Sequence, residues 1–129
     1  MKKLLLLLII GLTSCGKDEV TVMKNELAGE WNWVRKTGGI AGVNETPKKG
    51  DTFVLKINSD NTYSYISNGT EITKGKYTLG KAESMLLNKE MPTITLDENG
   101  KFMYELKGQV LYLSEDYYDG FNYEYARIK

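Results

Sequence analysis

The chain has no histidine, a single cysteine and no apolar run long enough to cross a bilayer. Each gap removes a class of chemistry. Without histidine, the commonest general base and the commonest nitrogen ligand of zinc are missing. With Cys15 as the one thiol there is no disulfide, and the domain must be held by packing alone. The longest apolar run, 4–12, has nine residues, whereas a helix rising about 1.5 Å per residue needs ~20 to span ~30 Å of hydrocarbon. Charge is balanced, with 17 basic and 17 acidic residues. That leaves no basic footprint for nucleic acid. The glycine-rich stretch 37–50 contains no Gly-Lys-Ser/Thr at phosphate-loop spacing, which sets nucleotide binding aside. Of the carboxylates, Glu71, Glu105 and Asp119 have no spacing that places two at one cleft. They read as surface charges, so no catalytic residue, resident metal or cofactor is expected and the chain reads as a non-enzyme.

What is present begins at the N-terminus. Lys2 and Lys3 precede the apolar run, and small residues lead to Cys15, the order of a secretory signal. Leu12-Thr13-Ser14-Cys15 resembles the bacterial lipobox. The resemblance implies cleavage before Cys15 and a diacylglyceryl cysteine carrying palmitate-type chains, hence an outer-membrane location with the membrane as partner through the N-terminal lipid. Two or more acyl chains give stable anchoring at about 0.8 kcal/mol per buried CH₂. Gly16-Lys17-Asp18-Glu19 resembles the surface-export signal of some Gram-negative lipoproteins, and the same polar stretch also suits a solvated tether. The expected organisation is a signal peptide at 1–14, a lipidated tether at 15–26 and one domain at 27–129. After the leader is removed about 115 residues remain, enough for one core.

The mature chain alternates short Val, Ile, Thr, Tyr and Phe segments with Gly, Asn and Asp clusters, the pattern of an all-β sandwich or barrel. Asn58-Ser59-Asp60-Asn61, Asn68-Gly69, Asp97-Glu98-Asn99-Gly100, Lys107-Gly108 and Asp119-Gly120 are turn sequences. Tight turns join neighbouring antiparallel strands. Strands are predicted at 30–37, 52–58, 62–67, 70–79, 93–96, 101–106, 109–114 and 122–128, with a ninth possible at 84–88. Inward phase collects Trp31, Trp33, Leu55, Ile57, Tyr63, Tyr65, Tyr77, Tyr104, Leu111, Leu113 and Tyr125. An up-and-down antiparallel barrel of about eight strands follows, because closure removes the unpaired edges of an open meander.

Gly29-Glu30-Trp31, opening the first strand, resembles the Gly-x-Trp signature of lipocalins and of small bacterial lipocalin-like lipoproteins. Arg127, near the end of the last strand, matches the arginine that packs over that tryptophan in the family. The resemblance covers roughly 27–129 and implies a barrel floor shut by Trp31 and Arg127. It also implies a small apolar or amphipathic ligand. This chain departs from larger lipocalins in its short length, its lack of a long helix after the barrel and its lack of a disulfide.

Two functions follow as alternatives. In one, the barrel is a membrane-anchored binder whose cavity is lined by Trp33, Tyr65, Tyr77, Tyr104 and Tyr125, since buried phenols require polar partners. In the other, the aromatics fill the core and a solid barrel contacts a protein or glycan at the cell envelope. Interior volume separates them, at about 300 Å³ or more for a small-molecule site. The loop 114–120 carries three carboxylates and two tyrosines. It reads as a solvated turn, with a hard cation or a partner as the other reading.

Overall fold

The computed structural model describes residues 15–129. The expected signal peptide, 1–14, lies outside the described residues. One helix, α1 (Cys15–Leu27), precedes nine strands: β1 (Gly29–Gly38), β2 (Val43–Glu45), β3 (Phe53–Ile57), β4 (Thr62–Ser67), β5 (Thr70–Glu83), β6 (Glu90–Leu96), β7 (Lys101–Lys107), β8 (Val110–Ser114) and β9 (Phe121–Arg127). Every neighbouring pair from β3 to β9 is antiparallel, β1 pairs with β3, and β9 closes onto β1 from Trp31↔Arg127 to Gly38↔Phe121. The result is the eight-stranded up-and-down barrel, plus β2 as an extra strand on the upper half of β1.

The turn chemistry explains this order. Asn68 and Gly69 both have positive φ, 48° and 82°, which suits the two-residue hairpin turn whose twist matches flanking strands. β5 runs for 14 residues because its first half pairs with β4 and its second with β6. It therefore belongs to two walls of the barrel.

Inward positions merge into one core. Trp31, Leu55, Ile57, Tyr63, Tyr77, Ile94, Leu96, Phe102, Tyr104, Leu111, Leu113 and Tyr125 are buried together with Met23 and Leu27 of α1. Met23 falls in the stretch expected as a tether, 15–26, and Leu27 in the expected domain, 27–129. Met23 and Leu27 lie one helical turn apart on one face and enter the core, while Val20 and Val22 stay exposed. Two apolar positions in a polar sequence are too few to raise a helical period. Glu19 adds an ion pair to Lys81 of β5. The strand considered at 84–88 is also absent: these residues form the turn between β5 and β6. Among the described residues no helix is long and apolar enough to cross a membrane.

Candidate functional site: the open mouth and an outer cleft

The two ends of the barrel interior are finished differently. At the helix-capped floor, Arg127 Cζ lies 4.2 Å from the Trp31 ring centroid. The pair does more than stack. Trp31 Nε1 donates to the carbonyl of Leu27 at 2.8 Å, and the Arg127 guanidinium donates to the carbonyls of Ala28, at 3.1 Å, and of Glu26. Carbonyls at a helix C-terminus lack intrahelical donors and lie at the negative end of its dipole, so a cation with several N–H groups serves as their cap. Gly29 makes this approach possible. Its φ is +148°, and a Cβ there would stand 2.3 Å from the Lys129 carbonyl oxygen and 2.8 Å from Arg127 Nη1. The glycine of the Gly29-Glu30-Trp31 motif is thus explained by the crowding at the floor.

The five candidate lining residues divide between core and mouth. Tyr77, Tyr104 and Tyr125 are 2%, 5% and 6% exposed and belong to the packed centre. Trp33 and Tyr65 are partly buried and pack against that centre from the far end. Tyr77, Tyr104 and Tyr125 thus share the cluster with Leu55, Ile94 and Leu111, and Trp33 and Tyr65 pack at its edge. Tyr77 donates to the Asn58 carbonyl at 2.6 Å, and Tyr63 donates to Leu96 while accepting from Asn99 Nδ2. These phenols have the partners that burial demands.

At the mouth the polar groups are less complete. Trp33 Nε1 is buried and has no hydrogen-bond partner. Its ring meets Phe53 edge to face, with centroids 5.6 Å apart. Burial pushes the Tyr65 phenol up to about 12, although the Tyr125 hydroxyl hydrogen-bonds to it. Tyr125 is raised well above the usual phenol value, first by burial and then by the charge Tyr65 would carry. The pair therefore stays neutral across ordinary pH. Tyr123, also raised by burial, stacks edge to face on Phe102 at 5.9 Å.

Lys36 completes the rim and was not among the residues singled out from sequence. The β1–β9 register shifts between Trp33 and Arg35, leaving Val34 as a bulge. Trp33 faces Tyr125, and after the bulge Lys36 rather than Arg35 faces Tyr123. Directly opposed residues in an antiparallel pair share a face of the sheet. Lys36 is half-buried there, with Nζ 4.0 Å from the Phe121 centroid and 5.9 Å from that of Tyr123, while Arg35 is exposed. One inserted residue reverses the phase, and the sequence gives no mark of it.

A second concavity lies on the outer wall. A cleft of about 240 Å³ is lined by Leu86, Leu87, Met91, Met103, Tyr112 and Tyr117, among others. Asp116 builds it by accepting from Ser84 Oγ at 2.6 Å and from the Met85 N–H at 2.7 Å. The Ser84 bond, followed by the Met85 amide, holds the Asp116 carboxyl below its ordinary value. Glu115 accepts from the Phe121 N–H at 2.8 Å and from the Tyr117 hydroxyl. Two of the three carboxylates in this loop are thus engaged in shaping it. Among the described residues no group of three or more His, Cys, Asp or Glu side chains is placed to hold a metal. Of the five sequence candidates only Tyr104 borders the cleft.

Cys15, expected as the lipid attachment, is the first residue of α1. Comparison with family models, curated proteins and solved structures finds no match for this chain.

Proposed function

We propose that the protein is an envelope-anchored, lipocalin-like binding protein that holds a small apolar or amphipathic molecule at the mouth of its barrel. One observation carries the reading: the buried, unpartnered N–H of Trp33. A buried donor without an acceptor costs about 1–3 kcal/mol. Among the described residues it is the one fully buried side-chain nitrogen or oxygen without a partner, so it marks a place where an acceptor from outside the chain would be rewarded. Phe53 packs edge to face on the Trp33 ring, and Tyr125 faces Trp33 across the β1–β9 pair, so apolar contact is at hand. The ligand sits at the mouth because the centre is packed. The reading carries no catalytic step.

The lipobox resemblance at Cys15 supports anchoring at the outer membrane, and Lys17-Asp18-Glu19 supports exposure on the cell surface. A helix of 13 residues is about 20 Å long. On this reading it joins the acylated end to the barrel floor as a standoff, leaving the mouth directed away from lipid. Native mass spectrometry of the detergent-solubilised protein tests the binding function. A co-purifying small molecule that is lost in Trp33→Phe supports it, and repeated recovery of bare protein overturns it. Membrane fractionation of Cys15→Ser tests the anchor, which predicts release of that variant.

The outer cleft favours a second reading, in which the barrel contacts a protein or glycan. Its support is the 240 Å³ hollow bordered by Tyr118, which is 91% exposed. Site-specific crosslinking from position 118 on intact cells separates the two.

A further inference from the structure

We propose that the molecule held at the mouth is an apolar anion, a carboxylate or sulfonate on an apolar body, and that Lys36 selects it. The inference rests on the mouth being the binding site, and it adds the charge of the ligand.

Three observations meet at Lys36. Its side chain shares the interior face with Tyr123 because of the bulge at Val34. Its ammonium stands over the Phe121 and Tyr123 rings, and among the described residues it forms no ion pair. The carboxylates nearest by register and field are otherwise disposed: Glu45, opposite Lys36 on β2, is exposed, and Glu115 is bonded to Phe121 and Tyr117. Aromatic faces return about 0.5–2 kcal/mol to a partly desolvated cation, but they do not neutralise it. Lys36 keeps a formal positive charge that no carboxylate within ion-pair distance neutralises, while Glu45 and Glu115 act on the same rim from farther off.

The neighbouring polar groups are also donors. Trp33 presents an N–H without an acceptor, Lys36 an ammonium, and Tyr65 a phenol held neutral by burial. A carboxylate accepts hydrogen bonds and donates none. It therefore complements this set where an alcohol or amine would bring a competing donor. The rings around it suit an apolar body, and the half-buried setting strengthens the charge pairing relative to bulk water.

Isothermal titration of the full-length protein in non-ionic detergent, with a micelle blank, compares naphthoate with its neutral counterpart naphthamide. Naphthoate is expected to bind about tenfold or more tightly than naphthamide. Lys36→Met should bring naphthoate down to the level of naphthamide and leave naphthamide unchanged. Lys36→Arg should retain the preference, which guards against a folding defect at this position. Glu45→Gln should tighten naphthoate several-fold by removing a like charge from the rim. Equal binding of the two probes overturns anion selection and leaves the mouth as a neutral site. A preference that survives Lys36→Met overturns the assignment to Lys36. If neither probe binds while native mass spectrometry still finds a molecule sensitive to Trp33→Phe, the anion proposal falls and the mouth stands. If both measurements are blank, the two fall together.

Discussion

Trp31 and Trp33 lie two residues apart on one strand and face the same interior. Trp31 is fully buried, its N–H is bonded to Leu27 and its ring is covered by Arg127. Trp33 is partly buried, its N–H has no partner, and its ring meets only the edge of Phe53 among close aromatic neighbours. The same residue type thus closes one end of the barrel and leaves the other chemically unfinished. An internally satisfied group belongs to stability, and an unsatisfied one is where the proposed ligand would be rewarded.

The largest expected effect comes from breaking the finished end. Trp31→Ala removes a fully buried indole and uncovers the helix cap, so urea unfolding should report a loss of about 3–5 kcal/mol. Trp33→Ala, at the half-exposed end, should lose markedly less. Equal losses would abolish the distinction between floor and mouth. Next is Leu27→Ala, which deletes a side chain 0% exposed beneath the barrel. It should cost about 2–4 kcal/mol and reduce far-ultraviolet helical signal at the same denaturant concentration. A cost within 0.5 kcal/mol, roughly the noise of a surface substitution, would mean that α1 does not help hold the barrel together.

How much of this was legible in the sequence depends on periodicity. The strands were readable because Trp31, Leu55, Ile57, Leu111 and Leu113 repeat with period two between turn residues, and local pattern and final burial agree. The floor was readable through Gly29, Trp31 and Arg127 because a motif carried it. α1 was hidden because Met23 and Leu27 alone do not make a periodic face. Lys36 was hidden for a different reason: a bulge changes the direction of every side chain beyond it without altering composition. The partition of the tyrosines was also out of reach, since alternation tells inside from outside and does not say how deep within the barrel a residue sits.

The pH dependence sharpens the comparison from the mouth. Tyr65 is raised from 10.0 to about 12 by burial. Its neutral form is favoured by the fold, so its contribution is fully present below pH 10, where the unfolded chain begins to ionise. It is lost as pH rises through about 12. That single phenol is worth about 2–3 kcal/mol over the window. Stability measured by urea titration should therefore fall between these limits, and Tyr65→Phe should flatten the fall. An unchanged slope would place the alkaline sensitivity on other tyrosines. Asp116 acts in the opposite direction: its carboxyl is lowered from 3.8 by the Ser84 bond. Its contribution is present above that value and lost as pH falls through the depressed one.

The smallest effect on stability is the most telling. Trp33→Phe removes the orphaned N–H together with part of the ring, so a relieved desolvation cost offsets a lost contact area. The net change should lie within about 1 kcal/mol of wild type. Trp31→Phe removes the same atoms but strands the Leu27 carbonyl and thins the surface beneath Arg127. It should cost more than its counterpart by at least about 1 kcal/mol. Binding should rank the other way, with Trp33→Phe losing the co-purifying molecule and Trp31→Phe keeping it at temperatures where both are folded. A reversal in either ranking would mean that the unpaired indole is tolerated within the fold rather than reserved for a ligand. An identical substitution, made two residues apart, thereby separates a group that holds the barrel shut from one that waits at its opening.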